Sequence, residues 1–143
     1  MRHQVFGKKL NRDIKERKAL FKSLILALIT YGKIKTTLAK AKAIQPFVDK
    51  LVTRAKDGSE NAIRQVSSFL ARKEAINKLT KEIAPRFGKT FGGYLNLKKV
   101  GQRSGDAAEE VILEWSIKEA AKPVKLEEKK AEEKKPVAKK TRK

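Results

Sequence analysis

Two segments decide the fold: Gly92-Gly93-Tyr94-Leu95-Asn96-Leu97-Lys98-Lys99-Val100 and Glu110-Val111-Ile112-Leu113-Glu114-Trp115-Ser116-Ile117. Apolar and polar residues alternate along them, the period of a half-buried strand. Residues 101–108 between them are rich in glycine and charge, so the pair reads as an antiparallel hairpin. A lone hairpin is marginally stable in water, so it must dock on something. Lys33-Ile34-Lys35-Thr36 is short, β-branched and alternating, and is a candidate third strand.

Outward from the hairpin, the period is helical. Asp13 is a candidate N-cap with Glu16 completing a capping box. Phe21, Leu24, Ile25, Leu28 and Ile29 then form one apolar stripe, and Gly32 is a stop signal. Thr37 can cap a second helix running to about Lys56, with Leu38, Ala41, Phe47, Leu51 and Val52 on its inner side. Pro46 falls inside that pattern, where it deletes a backbone donor and either kinks the helix or splits it in two. Asp57-Gly58-Ser59 is a turn, and Ser59 or Asn61 caps a third helix over 62–71 with Ile63, Val66 and Leu70 inward. A fourth spans 73–84 with Ile76, Leu79 and Ile83 inward, stopped by Pro85. The expected class is α+β: a basic N-terminal arm, about four helices and a small sheet containing the C-terminal hairpin.

Charge is the outlying property. Lys and Arg number 36 against 16 Asp and Glu, a net charge of +20. Residues 1–56 hold 15 basic and 3 acidic side chains, whereas residues 57–117 hold 10 and 8. Such a charge on one body repels itself unless a polyanion neutralises it, and the expected partner is a phosphate polymer bound with counterion release. Residues 1–12 read as an extended basic arm, 13–117 as one globular RNA-binding domain, and 118–143, a run of Lys, Glu, Ala, Pro and Val, as a disordered tail.

The chemistry of the residues narrows the function further. There is no cysteine, and the single histidine, His3, lies on the arm with nothing to orient it. The glycines Gly88, Gly92 and Gly93 lack the spacing of a nucleotide-binding motif. No enzyme, cofactor, metal or small-molecule substrate is therefore expected. The start MRHQVFGKKLNR has no apolar signal core. The most apolar stretch, ALFKSLILALITY, is shorter than the roughly 20 residues a membrane span needs, so no membrane association and a cytoplasmic location are expected.

The candidate RNA contacts fall in groups. Arg2, His3, Lys8, Lys9, Arg12, Arg17 and Lys18 lie on the arm and first helix. Lys33, Lys35, Lys40 and Lys42 surround the turn into the second helix. There Thr36, Thr37 and free backbone N–H groups can receive a phosphate. Arg86, Lys98, Lys99 and Arg103 surround the hairpin. Tyr94 is a candidate base-stacking ring, although a tyrosine in an alternating strand is more often core. Lys50, Lys78 and Lys81 read as a merely solvated face. A DNA architectural protein and an RNA-processing enzyme are the rival classes.

These residues also carry a resemblance. Met1-Arg2-His3, Gly7-Lys8-Lys9-Leu10-Asn11-Arg12 and Arg17-Lys18-Ala19-Leu20 open an ordered series of motifs. Ile34-Lys35-Thr36-Thr37-Leu38-Ala39-Lys40-Ala41-Lys42, the most specific, is followed by Pro46-Phe47 and Leu51-Val52-Thr53. Ile83-Ala84-Pro85-Arg86-Phe87, Gly92-Gly93-Tyr94 and Arg103-Ser104-Gly105-Asp106-Ala107-Ala108 complete it. Over residues 1 to about 117 the chain resembles the bacterial-type large-subunit ribosomal protein L-seventeen family. Gln4, Glu16, Leu95 and Asn96 depart from the family pattern, so no contact is carried over to them. The resemblance adds Asn11 to the RNA-binding set. It implies a non-catalytic constituent of the large subunit, bound to large-subunit ribosomal RNA near the outer end of the exit tunnel. Its neighbours there would include the proteins L-twenty-two and L-thirty-two.

Overall fold

The computed structural model describes residues 7–88 and 90–117. Helix α1 spans Ile14–Tyr31, strand β1 Lys33–Thr37, helix α2 Leu38–Asp57 and helix α3 Glu60–Leu70. Helix α4, Lys73–Lys78, passes through a π-helical turn, Leu79–Ile83, into the short helix α5, Ala84–Arg86. Strands β2, Leu95–Gln102, and β3, Glu109–Trp115, follow. The class is α+β, as the change of period predicts.

The three strands form an antiparallel sheet in the order β1-β3-β2. The 33–36 segment is thus the third strand, one residue longer than expected. Register explains the charge pattern. Lys33, Lys35 and Thr37 stand opposite Glu114, Ile112 and Glu110, while Asn96 and Lys98 stand opposite Glu114 and Ile112 from the other side. All of these share the open face. The alternate positions Val111, Leu113, Trp115 and Leu95 are buried against the helices. A register slip of one residue would exchange the two faces. A bulge at Lys99–Gly101 shifts the register, so that Gly101 and Gln102 pair with Glu110 and Glu109, and Gly101 supplies its φ of 149°.

The core is continuous across both layers. Phe21, Ile25, Leu28 and Ile29 of α1 meet Ala41, Ile44, Val48, Leu51 and Val52 of α2, and the cluster runs on through Leu79, Ile83, Phe87 and Tyr94 to the sheet. No polar or charged residue is buried among the described residues. Two inward expectations fail: Phe47 is 40% and Ile63 37% exposed, whereas Ile76 is partly buried and packs on the core. Phe47 and Ile63 lie at the margins of their helices' apolar stripes.

Helix ends show which local signals the packing used. Gly32 takes a left-handed φ of 76° and its N–H closes on the Leu28 carbonyl, ending α1 as read. Ser59, not Asn61, caps α3, its hydroxyl accepting from the Ala62 N–H at 3.3 Å. Asp13 holds the N-cap position of α1 with no side-chain cap bond, so the expected capping box is absent. Both Asp13 and Glu16 are exposed. Pro46 neither splits nor ends α2, because buried Ile44, Val48 and Leu51 hold both sides of it on the core.

Pro85 does not stop the fourth helix. The Ala84 N–H reaches back to the Leu79 carbonyl, a five-residue step, and the helix continues to Arg86. The wider turn just before Pro85 makes space for its ring, which in a regular helix presses on the carbonyl four residues earlier. Lys78, expected to be solvated only, donates to the Thr30 carbonyl at 2.9 Å and so serves the C-terminal end of α1.

Candidate nucleic-acid interface

Helices α1, α2 and α3 do not close fully on one another, and the gap is a groove of about 1070 Å³. Its floor is aromatic. Phe21, Phe47 and Phe69 line it, with the Phe21 and Phe47 ring centroids 5.1 Å apart and tilted by 40°. Its walls are cationic. Lys8, Arg17, Lys18, Lys22, Lys42 and Arg54 all line it, and no acidic residue does. None of the six makes an ion pair among the described residues. Lys22 instead sets its Nζ 5.7 Å from the centre of the Phe69 ring, a cation–π contact that leaves the charge available.

The sequence pattern explains how the groove arises. Lys18 and Lys22 are four residues apart and share one side of α1. Lys42 and Pro46 repeat that spacing on α2. The turn before α1 brings in the end of the basic arm. Leu10 and Asn11 adopt left-handed φ values of 55° and 50°, the Arg12 N–H donates to the Lys9 carbonyl, and Leu10 packs on the core. The last residues of the predicted extended arm are therefore a folded, anchored turn, which sets Gly7 and Lys8 at the groove mouth. Arg2 and His3 lie outside the described residues, as does the tail from 118.

The remaining predicted residues are dispersed. Lys42 belongs to the groove, whereas Lys35 pairs with Glu110 at 2.6 Å on the open sheet face. Lys33 and Arg86 both line a second, smaller depression, with Tyr31, Lys78 and Glu114. Thr36 stands opposite Val111 on the core side of β1, and Thr37 is the N-cap of α2 without a side-chain cap bond. Lys40 is partly buried in the first turn of that helix. Lys9, Asn11 and Arg12 are exposed on the anchored turn, and Lys99 is exposed at the bulge.

Two hairpin residues are tied up inside the chain. Lys98 pairs with Glu114 at 2.6 Å. Arg103 binds Asp106 through Nε at 3.0 Å and Nη2 at 2.5 Å. Hydrogen bonds from the Arg103 guanidinium, and then from the Ala108 N–H, hold the Asp106 carboxyl down to about 2. The same Asp106 side chain raises the Arg103 pKa further. This bidentate pair folds the hairpin loop, so Arg103 acts in the structure before it can act on a ligand.

Tyr94 is a correction. It is completely buried, its ring set edge-on to Phe87 with centroids 5.1 Å apart. Its hydroxyl lies 3.2 Å from Thr53 Oγ1 and donates to the Thr90 carbonyl at 3.2 Å. Its ring is a core element and offers no face to a base.

Three aromatic side chains among the described residues are exposed: Tyr31 at 76%, Phe47, which the periodicity places inward, at 40%, and Phe91 at 96%. The Phe91 ring centre lies 5.6 Å from the Lys56 Nζ, which donates to the Thr90 carbonyl at 2.5 Å. Arg54 also lines the groove, on the same helix as Lys42 and Phe47.

The chain is thus a small basic α+β domain with an aromatic-floored cationic groove that no acidic residue lines. Among the described residues no helix is long and apolar enough to cross a membrane. Residues 20–116 match the family described as Ribosomal protein L17. The large ribosomal subunit protein bL17 of Coprothermobacter proteolyticus is 46% identical over 116 residues, covering 81% of this chain and 99% of that protein. The bL17 of Campylobacter lari is 48% identical over 115 residues, covering 80% and 98%. That of Thermodesulfovibrio yellowstonii is 45% identical over 134 residues, covering 92% and 99%. The chain belongs to the ribosomal protein L17 family.

Proposed function

We propose that this chain is a structural constituent of the large ribosomal subunit that binds and stabilises large-subunit ribosomal RNA in the cytoplasm. The observation that carries the reading is the groove whose six lining cations face no lining carboxylate. RNA phosphates brought close by folding repel one another, and Lys and Arg between them relieve that repulsion with release of counterions. Recognition is of shape and phosphate, because the deep groove of A-form RNA hides its base edges from side chains.

In this reading residues 13–117 are one RNA-binding domain, residues 1–12 continue the groove into an RNA crevice, and residues 118–143 are a tail dispensable for docking. The chain binds and neutralises and makes or breaks no covalent bond. Its position near the tunnel outlet, beside L-twenty-two and L-thirty-two, is part of the same proposal, supported by family membership.

The test is a salt series on binding to large-subunit RNA. For each phosphate-contacting cation removed, the slope of log K against log salt should fall by roughly 0.7–0.9. Lys18→Gln with Lys22→Gln should therefore flatten it by about 1.5. Deleting residues 1–12 should flatten it as well. A slope unchanged by both would eliminate the groove and arm as electrostatic contacts.

A further inference from the structure

The groove has one feature that phosphate binding alone leaves unused. Phe47 is 40% exposed at its floor, backed by Phe21 at 5.1 Å and faced by cations from α1 and α2. Exposing a phenyl ring to water is unfavourable, and a purely electrostatic cleft has no need of one. We infer that this groove takes an unpaired segment of RNA, with one base laid against Phe47 and the neighbouring phosphates on Lys18, Lys42 and Arg54. The inference rests on the RNA-binding reading above and goes further by naming the form of RNA the groove selects.

Three observations favour a single strand. A paired base is covered on both faces by its neighbours, so only an unpaired one can offer a ring face to an aromatic side chain. The groove, about 1070 Å³ and bounded by three helices, has room for more than one nucleotide. Its charge is entirely of one sign along the lining, complementary to a phosphate chain. Phe21, only 7% exposed, holds Phe47 from behind, so the ring is a fixed platform and costs little to order.

The experiment uses the full chain and three probes at matched salt: a twelve-nucleotide oligo(U), an RNA duplex of equal length, and polyglutamate of similar charge. Phe47→Leu keeps the apolar bulk and removes the ring. It should weaken oligo(U) binding by roughly 5- to 100-fold, the range of one lost base stack. Duplex binding and the salt slope should be unchanged. Phe47→Trp should restore oligo(U) affinity, and urea midpoints of both variants establish that they fold.

Equal oligo(U) affinity for a folded Phe47→Leu, or an equal loss on duplex and oligo(U), overturns the inference. Polyglutamate bound as tightly as oligo(U), and as indifferent to Phe47→Leu, would assign the groove to an acidic protein segment instead. If large-subunit RNA binding depends on the groove cations but not on Phe47, only this inference falls. If the chain binds no RNA, the function proposed above falls with it.

Discussion

Replacing Tyr94 by Phe removes one oxygen from the centre of the molecule and leaves the ring in place. That hydroxyl has two partners, Thr53 Oγ1 and the Thr90 carbonyl, each at 3.2 Å. The Thr90 carbonyl keeps a second donor, the Lys56 Nζ at 2.5 Å, and Thr53 is exposed, so water can serve it. No buried group is left unpaired, and the cost is that of an ordinary internal hydrogen bond, about 1 kcal/mol. With a urea m-value of roughly 1–3 kcal/mol/M for a small domain, the midpoint should drop by about 0.3–1 M. Tyr94→Ala also removes the ring packed on Phe87 and should cost roughly 3–5 kcal/mol. Tyr94→Phe should leave affinity for large-subunit RNA unchanged, because the ring has no exposed surface. Weakened RNA binding at an unchanged midpoint would refute this assignment of Tyr94 to the core, as would an unaltered midpoint in Tyr94→Ala.

Other expectations follow from single contacts. Ser59→Ala removes the only oxygen capping α3 at the Ala62 N–H and should lower stability by about 1 kcal/mol in urea unfolding. Leu113→Ala, at a completely buried position on the central strand, should cost roughly 2–5 kcal/mol in the same assay. Gly32→Ala forces a side chain into a φ of 76° and should cost about 1 kcal/mol, with no clash to relieve, since no atom lies within 4 Å of the added carbon. The Asp106 carboxyl should titrate near 2 by NMR, against 3.8 for an ordinary carboxyl. Because its folded value is the lower one, its stabilisation of the hairpin loop is complete above about 4 and is lost as pH falls toward 2. Asp106→Asn should abolish that acid limb.

The parts of the fold legible in the sequence are those set by local periodicity. The stripe from Phe21 to Ile29, the alternation of 111–115 and the glycine stops at 32 and 58 each depend on neighbours within a few residues. The π-helical turn was not legible, because a proline reads as a stop until tertiary packing holds the helix on both sides of it. The pairing of Lys35 with Glu110 and of Lys98 with Glu114 depends on strand order, which alternation alone does not specify.

The site divides along the same line. The basic residues Lys8, Arg17, Lys18 and Lys42 stand out by density of charge, and the fold gathers them on one groove. Lys22 follows Lys18 one turn later on the same side of α1, and Arg54 joins them through the packing of the helices. Tyr94 is buried and Phe47 exposed for a geometric reason. Tyr94 heads a strand that enters the core, whereas Phe47 sits at the edge of an apolar stripe, beside a gap its helix does not close.

The most direct test of the central claim is where the chain resides in a cell extract. Sucrose-gradient fractionation at moderate salt, followed by immunodetection of the chain, separates free protein from ribosomal subunits. The chain should sediment with the large subunit and with intact ribosomes, and leave them only as salt is raised far enough to screen its phosphate contacts. Its presence solely at the top of the gradient, with large-subunit fractions empty of it, would contradict the account.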